Sequence, residues 1–154
     1  MEDFVIRRVE LGDVSELAEL CHCLWPSASA AEHAQELVPL LGDKSSGAFP
    51  AVVFVAEEPG SGLVGFVEVD LRSHADGCNP ARPVGYIEGW YVAPANRRRR
   101  VGARLVAAAE DWARNQGCTE MASDAWLDAL DSQRAHEALG FEIVDRCIHY
   151  RKNL

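Results

Sequence analysis

The chain has 154 residues, 48% of them apolar and 25% charged, with a formal net charge of −9. That length supports one domain, residues 1–154, with a core of its own, and the acidic balance excludes general nucleic-acid binding, which needs a basic surface to meet the phosphates. No apolar run approaches the ~20 residues that cross a bilayer, and Met1-Glu2-Asp3 is acidic where a signal peptide is basic, so a cytoplasmic protein with no membrane partner is expected.

Phe4–Glu10 reads as a short strand. Asp13–Trp25 carries apolar residues at Val14, Leu17, Leu20, Cys21 and Leu24, a helical spacing. Asp13 is a candidate cap with Glu16 three residues on, and Pro26 stops the helix. Ser29–Leu41 reads as a second helix, with Pro39 near its end and Gly42 after it. Ala51–Glu57 and Leu63–Ser73 read as a hairpin around the Glu58–Gly62 turn, and Val84–Pro94 as a third strand rich in aromatic and β-branched residues. Val101, Leu105, Ala108, Ala109 and Trp112 share one face of a helix that Gly117 ends. Cys118–Ala125 reads as a strand, Asp131–Gly140 as a short helix, and Phe141–Lys152 as one long or two short strands.

Five cysteines, Cys21, Cys23, Cys78, Cys118 and Cys147, match no disulfide framework. Cys21-His22-Cys23 is a possible metal corner, but no second pair stands at metal-ligand spacing, so no metal is expected. Cys118 and Cys147 sit in apolar strands and read as core.

Arg97-Arg98-Arg99-Arg100 is a knot of positive charge in an acidic chain, placed where a strand turns into a helix. The first N–H groups of a helix lack partners and its dipole is positive there, so the position suits phosphate. The alternative is a solvated basic turn. The stretch "YVAPAN" followed by "RRRRVG" resembles the acetyl-coenzyme A motif of the GCN5-related N-acetyltransferases (GNAT), in which a strand end passes into a loop that wraps the pyrophosphate and opens a helix. Arg100 departs from it, standing where that family usually has a glycine, which lets the backbone come close to the phosphates. The late "ALGFEIV" resembles the family's closing G-F signature. "LWP", "IEGWYVAP", "GCTEMASD" and "HEALGFE…YRK" are similar to segments of the aminoglycoside 6′-N-acetyltransferases. The resemblance implies an α/β (α+β) GNAT fold, a mixed central sheet with splayed strands flanked by helices. It also implies acetyl-coenzyme A as co-substrate, held by Trp90, Tyr91, Val92, Arg97, Arg98, Arg99, Arg100, Val101, Gly102 and Ala103, and a homodimer built through the C-terminal strands.

An aminoglycoside carries several ammonium groups, so its enzyme needs carboxylates in an open cleft. Glu88 lies between Tyr86 and Trp90, which by the strand period share its face. A lone carboxylate buried there would cost several kcal/mol, so Glu88 faces a cleft or pairs with a cation. Asp124 ends a strand, where ligands of open sheets collect, or it caps the helix that follows. By resemblance Glu88 and Asp124 flank the acceptor amine and one of them takes its proton, while Asp145 is a further substrate carboxylate. Trp25 lines the sugar pocket or packs in the core. A backbone N–H near Tyr91 or Val92 meets the oxyanion. His136 stands where relatives place a tyrosine that protonates the leaving thiolate; it serves that role or lies on the helix surface. Ala129 takes the place of an asparagine that contacts the coenzyme arm. Asp70, Asp76, Asp128 and Asp131 add negative potential without direct contact or are solvated surface acids.

Acetylation of another amine (a polyamine, an amino sugar or a peptide N-terminus) and a non-catalytic acyl-coenzyme A-binding module are the competing readings. Transfer is expected to be direct, with no cysteine as nucleophile.

Overall fold

In the computed structural model, which describes residues 4–41 and 49–154, five strands cross one sheet in sequence order: β1 (Val5–Arg8), β2 (Ala51–Glu58), β3 (Gly62–Arg72), β4 (Val84–Val92) and β5 (Met121–Ser123). β1 to β4 pair antiparallel and β5 joins β4 parallel, giving the mixed sheet expected. Helices α1 (Val14–Leu24) and α2 (Ala30–Leu37) cover one face, and α3 (Val101–Asn115) covers the other, with α4 (Leu130–Ala138) beside it. The acidic start and the expected stop at Gly42 lie outside the described residues.

Local chemistry sets most boundaries. Ser29 caps α2 by accepting from Glu32 N–H, and Glu32 returns a carboxylate to Ser29 N–H. Asp13 does not cap α1, contrary to expectation. It closes a preceding 3₁₀ turn, Leu11–Asp13, by accepting from Glu10 N–H, and is held by Arg7 at 2.7 Å. Glu16 instead accepts from Leu63 N–H at 2.6 Å and so ties α1 to the start of β3.

Two apolar clusters sandwich the sheet. Val101, Leu105, Val106, Ala109 and Trp112 of α3 pack on Val64, Val67, Val69 and Ile87. Leu17, Ala18 and Cys21 of α1 and Leu37 of α2 pack on Val53, Val55 and Phe66.

A β-bulge shapes the centre. Glu68 pairs with Gly89 but Val69 pairs with Ile87, so Glu88 is an extra residue in β4. A bulge resets the alternation of faces. Tyr86 and Glu88 therefore share the α1–α2 face, but Trp90 turns to the α3 side. Its ring meets His136 edge-on and would lie 3.1 Å from a Cβ at Gly102. Strict period two had placed Trp90 beside Glu88.

The seam between β4 and β5 is short. Its pairs run from Gly85–Met121 to Ile87–Ser123, after which β4 continues to Val92 with no partner on that side. The two strands splay apart beyond the bulge.

The strands expected over Phe141–Lys152 do not form. Past Phe141, which leans on the α3-side core, the chain has no regular structure and is exposed, with Ile143, Val144, Ile148 and Tyr150 open to water. Cys147 is exposed with it rather than in the core, whereas Cys118 is buried. A segment with no strand to pair with has no ladder, whatever its propensity.

Candidate active site

The basic loop keeps a defined shape. Arg98 and Arg100 both adopt φ of 63°, the left-handed region that costs an ordinary residue about 1 kcal/mol. Arg100 thus takes up the backbone conformation that a glycine would, with its side chain exposed. Two neighbours brace the loop: Arg97 Nε–H donates to Val92 C=O at 2.9 Å, and Arg99 pairs with Glu58 at 2.7 Å while Asn96 donates to the other oxygen of Glu58. Arg99 in turn holds the Glu58 carboxyl below its usual range. No side chain caps α3, so the N–H groups of Val101, Gly102 and Ala103 are available at its positive end. These features fit a pyrophosphate: open donors, a close backbone, and exposed guanidiniums on Arg98 and Arg100.

Next to this loop the seam opens. Ala93 N–H bonds Val64 C=O on β3, so by the alternation of a strand's backbone groups Val92 N–H points into the gap on the other side.

On the α1–α2 face, beside the gap, lie the carboxylates. Glu88 Oε1 accepts from Arg72 Nε at 3.1 Å and also from Arg72 Nη2. The same guanidinium lies 3.4 Å from the centroid of the Tyr86 ring, and the Tyr86 hydroxyl donates to Asp124 at 2.6 Å. Glu88 and Asp124 are joined through Arg72 and Tyr86 across the β4–β5 seam. Burial and the Asp124 carboxylate push the Tyr86 phenol up, so it remains a donor. Asp124 is exposed and caps no helix, since α4 begins only at Leu130 with Ala129 as its uncapped boundary.

Two more acids share this face. Burial raises Glu68 to about 7, and burial with the neighbouring Glu88 carboxylate pushes Asp70 up. One carboxyl oxygen of Asp70 is buried without a hydrogen-bond partner. Asp70 is therefore part of the cleft wall rather than a solvated surface acid; Asp76, Asp128 and Asp131 are exposed as expected. At the other rim Trp25 covers Gly89, where an added Cβ would come within 2.3 Å of its ring. Its carbonyl accepts from His33 Nε2 at 3.0 Å.

The matching family model describes the Acetyltransferase (GNAT) family and spans residues 15–141. The chain is a GNAT acetyltransferase. It is 41% identical to an aminoglycoside N(6′)-acetyltransferase type 1 of Klebsiella aerogenes, with 97% of each chain covered, and 42% identical to that of Serratia marcescens over 85% of this chain and 86% of the other. Among solved structures it resembles AAC(6′)-Iy in complex with the bisubstrate analogue CoA-S-monomethyl-acetylneamine, at 32% identity and a TM-score of 0.85, with 98% of this chain and 99% of that one covered. Within the GNAT enzymes it belongs with the aminoglycoside N(6′)-acetyltransferases.

In this acetyltransferase, the expected residues divide by location. Glu88 and Asp124 lie beside the β4–β5 gap, and Trp25 packs over Gly89, the residue after Glu88 in β4. The coenzyme set gathers at the α3 N-terminus, except that the Trp90 ring lies under Gly102 on the α3 side and its indole N–H is buried without a partner. His136 is neither a free surface residue nor an open acid. Its Nδ1 donates to Ser132 C=O at 2.7 Å, its Nε2 meets Ser123 Oγ at 2.8 Å, and its ring is held between Trp90 and Phe141. Asp145 lies in the exposed segment after Phe141 and accepts from Arg146 N–H at 2.7 Å, with no hydrogen bond to Glu88 or Asp124 among the described residues.

Arg72, Tyr86, Glu68, Asp70 and Ser123 escaped the reading of the sequence. The alternation in Glu68-Val69-Asp70-Leu71-Arg72 was the available signal, because three charged residues on one strand face mark a wall that is not plain core. Among the described residues, no group of three or more His, Cys, Asp or Glu could hold a metal, and no helix is long and apolar enough to cross a membrane.

Proposed function

We infer that the protein transfers the acetyl group of acetyl-coenzyme A to the 6′-amine of aminoglycoside antibiotics and so gives resistance to them. The observation that carries this reading is the joining of Glu88 and Asp124 through Arg72 and Tyr86 at the mouth of the β4–β5 gap, in a chain so similar to aminoglycoside N(6′)-acetyltransferases.

Acetyl-coenzyme A supplies the activated acyl group. Val101, Gly102 and Ala103 bind its pyrophosphate through backbone N–H groups, and Arg98 and Arg100 add charge. Val92 N–H points where the thioester oxygen gains charge and stabilises it. Glu88 attracts the acceptor ammonium. Asp124, exposed and bonded by one neutral donor, takes the amine's proton, directly or through water. His136, in its protonated form with Nδ1–H held on a carbonyl, gives its Nε2 proton to Ser123 Oγ as Ser123 gives its own to the thiolate that leaves. That thiolate is already a fair leaving group near neutral pH, since a free thiol has a pKa of about 8.5. Cys21 takes no part: burial pushes its thiol up to about 12.

The same reading includes a homodimer in the cytoplasm. The segment after Phe141 exposes Ile143, Val144, Ile148 and Tyr150, and among the described residues the outer side of β5 has no strand partner. An open sheet edge and an apolar segment exposed to water support pairing with a second copy. The donor is an intracellular metabolite, which supports the cytoplasm.

Thiol release measured with a panel of acceptors tests the function. A 6′-amino aminoglycoside should be turned over and its 6′-hydroxyl analogue should not. Release with a peptide or a linear polyamine but with no 6′-amino aminoglycoside would overturn the aminoglycoside assignment and leave a general acetyltransferase.

A further inference from the structure

The acceptor side of the cleft already holds a cation. Arg72 is the last residue of β3, and its guanidinium forks onto Glu88 while lying against the face of Tyr86. A carboxylate beside an aromatic face is the pair of groups that recognises an ammonium ion. The ring under Arg72 is also the one whose hydroxyl holds Asp124. A positive charge therefore occupies the place that these groups would offer to an incoming amine.

We propose that Arg72 is an internal stand-in for the acceptor's ammonium group: it fills the Glu88–Tyr86 cation site in the free enzyme, and a polycationic acceptor displaces it on binding. This rests on the reading of Glu88 as an acceptor-amine residue.

Three features support displacement. The Arg72 side chain is 42% exposed and that of Glu88 29%, and ion pairs open to water to this degree contribute little net stability and open readily. Arg72 stands where β3 gives way to the stretch before β4, so its long side chain has solvent to swing into. Left in place, the guanidinium would meet the ammonium as a like charge at contact distance. The exchange also selects. An acceptor with one ammonium swaps one cation for another and gains little. An acceptor with several displaces one guanidinium and still reaches Asp124, Asp70 and Glu68. Arg72 thus sets a minimum of positive charge for a useful acceptor.

The test compares Arg72→Gln, Arg72→Lys and Glu88→Gln with the wild type, by calorimetric titration with a 6′-amino aminoglycoside and separately with acetyl-coenzyme A. Arg72→Gln should tighten aminoglycoside binding about 2- to 5-fold, the scale of a partly exposed ion pair, and lower KM in step, with acetyl-coenzyme A affinity unchanged. Arg72→Lys, which restores a competing cation, should bind more like the wild type. A second readout uses the wild type alone: the NMR signal of Arg72 Nε–H, assigned by its loss in Arg72→Gln, should move from its bonded position to that of a solvated guanidinium when aminoglycoside saturates the enzyme. Weaker or unchanged binding in Arg72→Gln, or an Nε–H signal that stays put at saturation, overturns the stand-in. If Glu88→Gln leaves aminoglycoside affinity unchanged, the acceptor-site reading itself fails. If Glu88→Gln weakens binding and Arg72→Gln does not tighten it, only the stand-in fails.

Discussion

The Tyr86 hydroxyl reaches across from β4 and donates to Asp124 just past the end of β5, at 2.6 Å. This bond spans the two strands at the point where their ladder stops, so it fixes the carboxylate beside the opening. Tyr86→Phe removes one donor and keeps the ring under Arg72. It should lower kcat/KM for a 6′-amino aminoglycoside about 10-fold, the scale of a hydrogen bond to a charged group. Steady-state kinetics with unchanged acetyl-coenzyme A affinity would check it.

Asp124→Asn keeps shape and removes charge and basicity. A loss of at least ~10²-fold in kcat/KM is expected, the low end for a missing general base, while acetyl-coenzyme A binding stays intact because the arginine loop is separate. A variant with near wild-type turnover would remove Asp124 from proton transfer.

The loop arginines separate strain from charge. Arg100→Gly relieves a left-handed residue, worth about 1 kcal/mol, and should raise Tm by a few degrees. It also removes an exposed guanidinium, so acetyl-coenzyme A binding should weaken and lose part of its salt dependence. Arg98→Ala combined with Arg99→Ala should weaken it further. Equal affinity at low salt for all of these would place the phosphates elsewhere.

Glu68 gives a pH signature. Its folded value of about 7 stands above the ordinary 4.5 of a glutamate because burial disfavours the charged form. Between those values the folded protein binds the proton more tightly than the unfolded chain does. The stabilisation is therefore full below the lower value and is lost as pH rises through about 7. Glu68→Gln should be close to wild type in Tm at pH 5 and more stable at pH 8, by up to about 3 kcal/mol. Thermal melts at the two pH values would show the crossover, and parallel shifts at both would refute it.

Gly89→Ala would push a methyl group into the Trp25 ring. Overpacking of this kind costs about 1–3 kcal/mol, and the displaced indole should raise KM for the aminoglycoside more than it lowers kcat. Unchanged kinetics would mean that Trp25 serves packing alone.

Much of this was legible in order and period. Every helix was readable, because amphipathic spacing and terminal residues act over a few neighbours: Val101, Leu105, Ala109 and Trp112 face the sheet as their spacing predicts. The basic turn before α3 was legible because a strand end, a run of arginines and a helix start are contiguous in the chain. Even the acid identities of Glu88 and Asp124 came from short segments around them.

What escaped depends on contacts between distant residues. The bulge at Glu88 exists only in the register between β3 and β4, and no local pattern announces an extra residue, so Trp90 was placed on the wrong face. Arg72 and Tyr86 reach Glu88 and Asp124 from positions 16 and 38 residues away. The strands expected after Phe141 had β-propensity but found no neighbouring strand among the described residues. Sequence by itself determined the four α-helices and the basic turn before α3, and put acids at Glu88 and Asp124, because each is written in neighbouring side chains. Tertiary structure alone decided which faces those side chains take and which charges meet, because register, bulges and ion pairs arise only when remote segments are brought together.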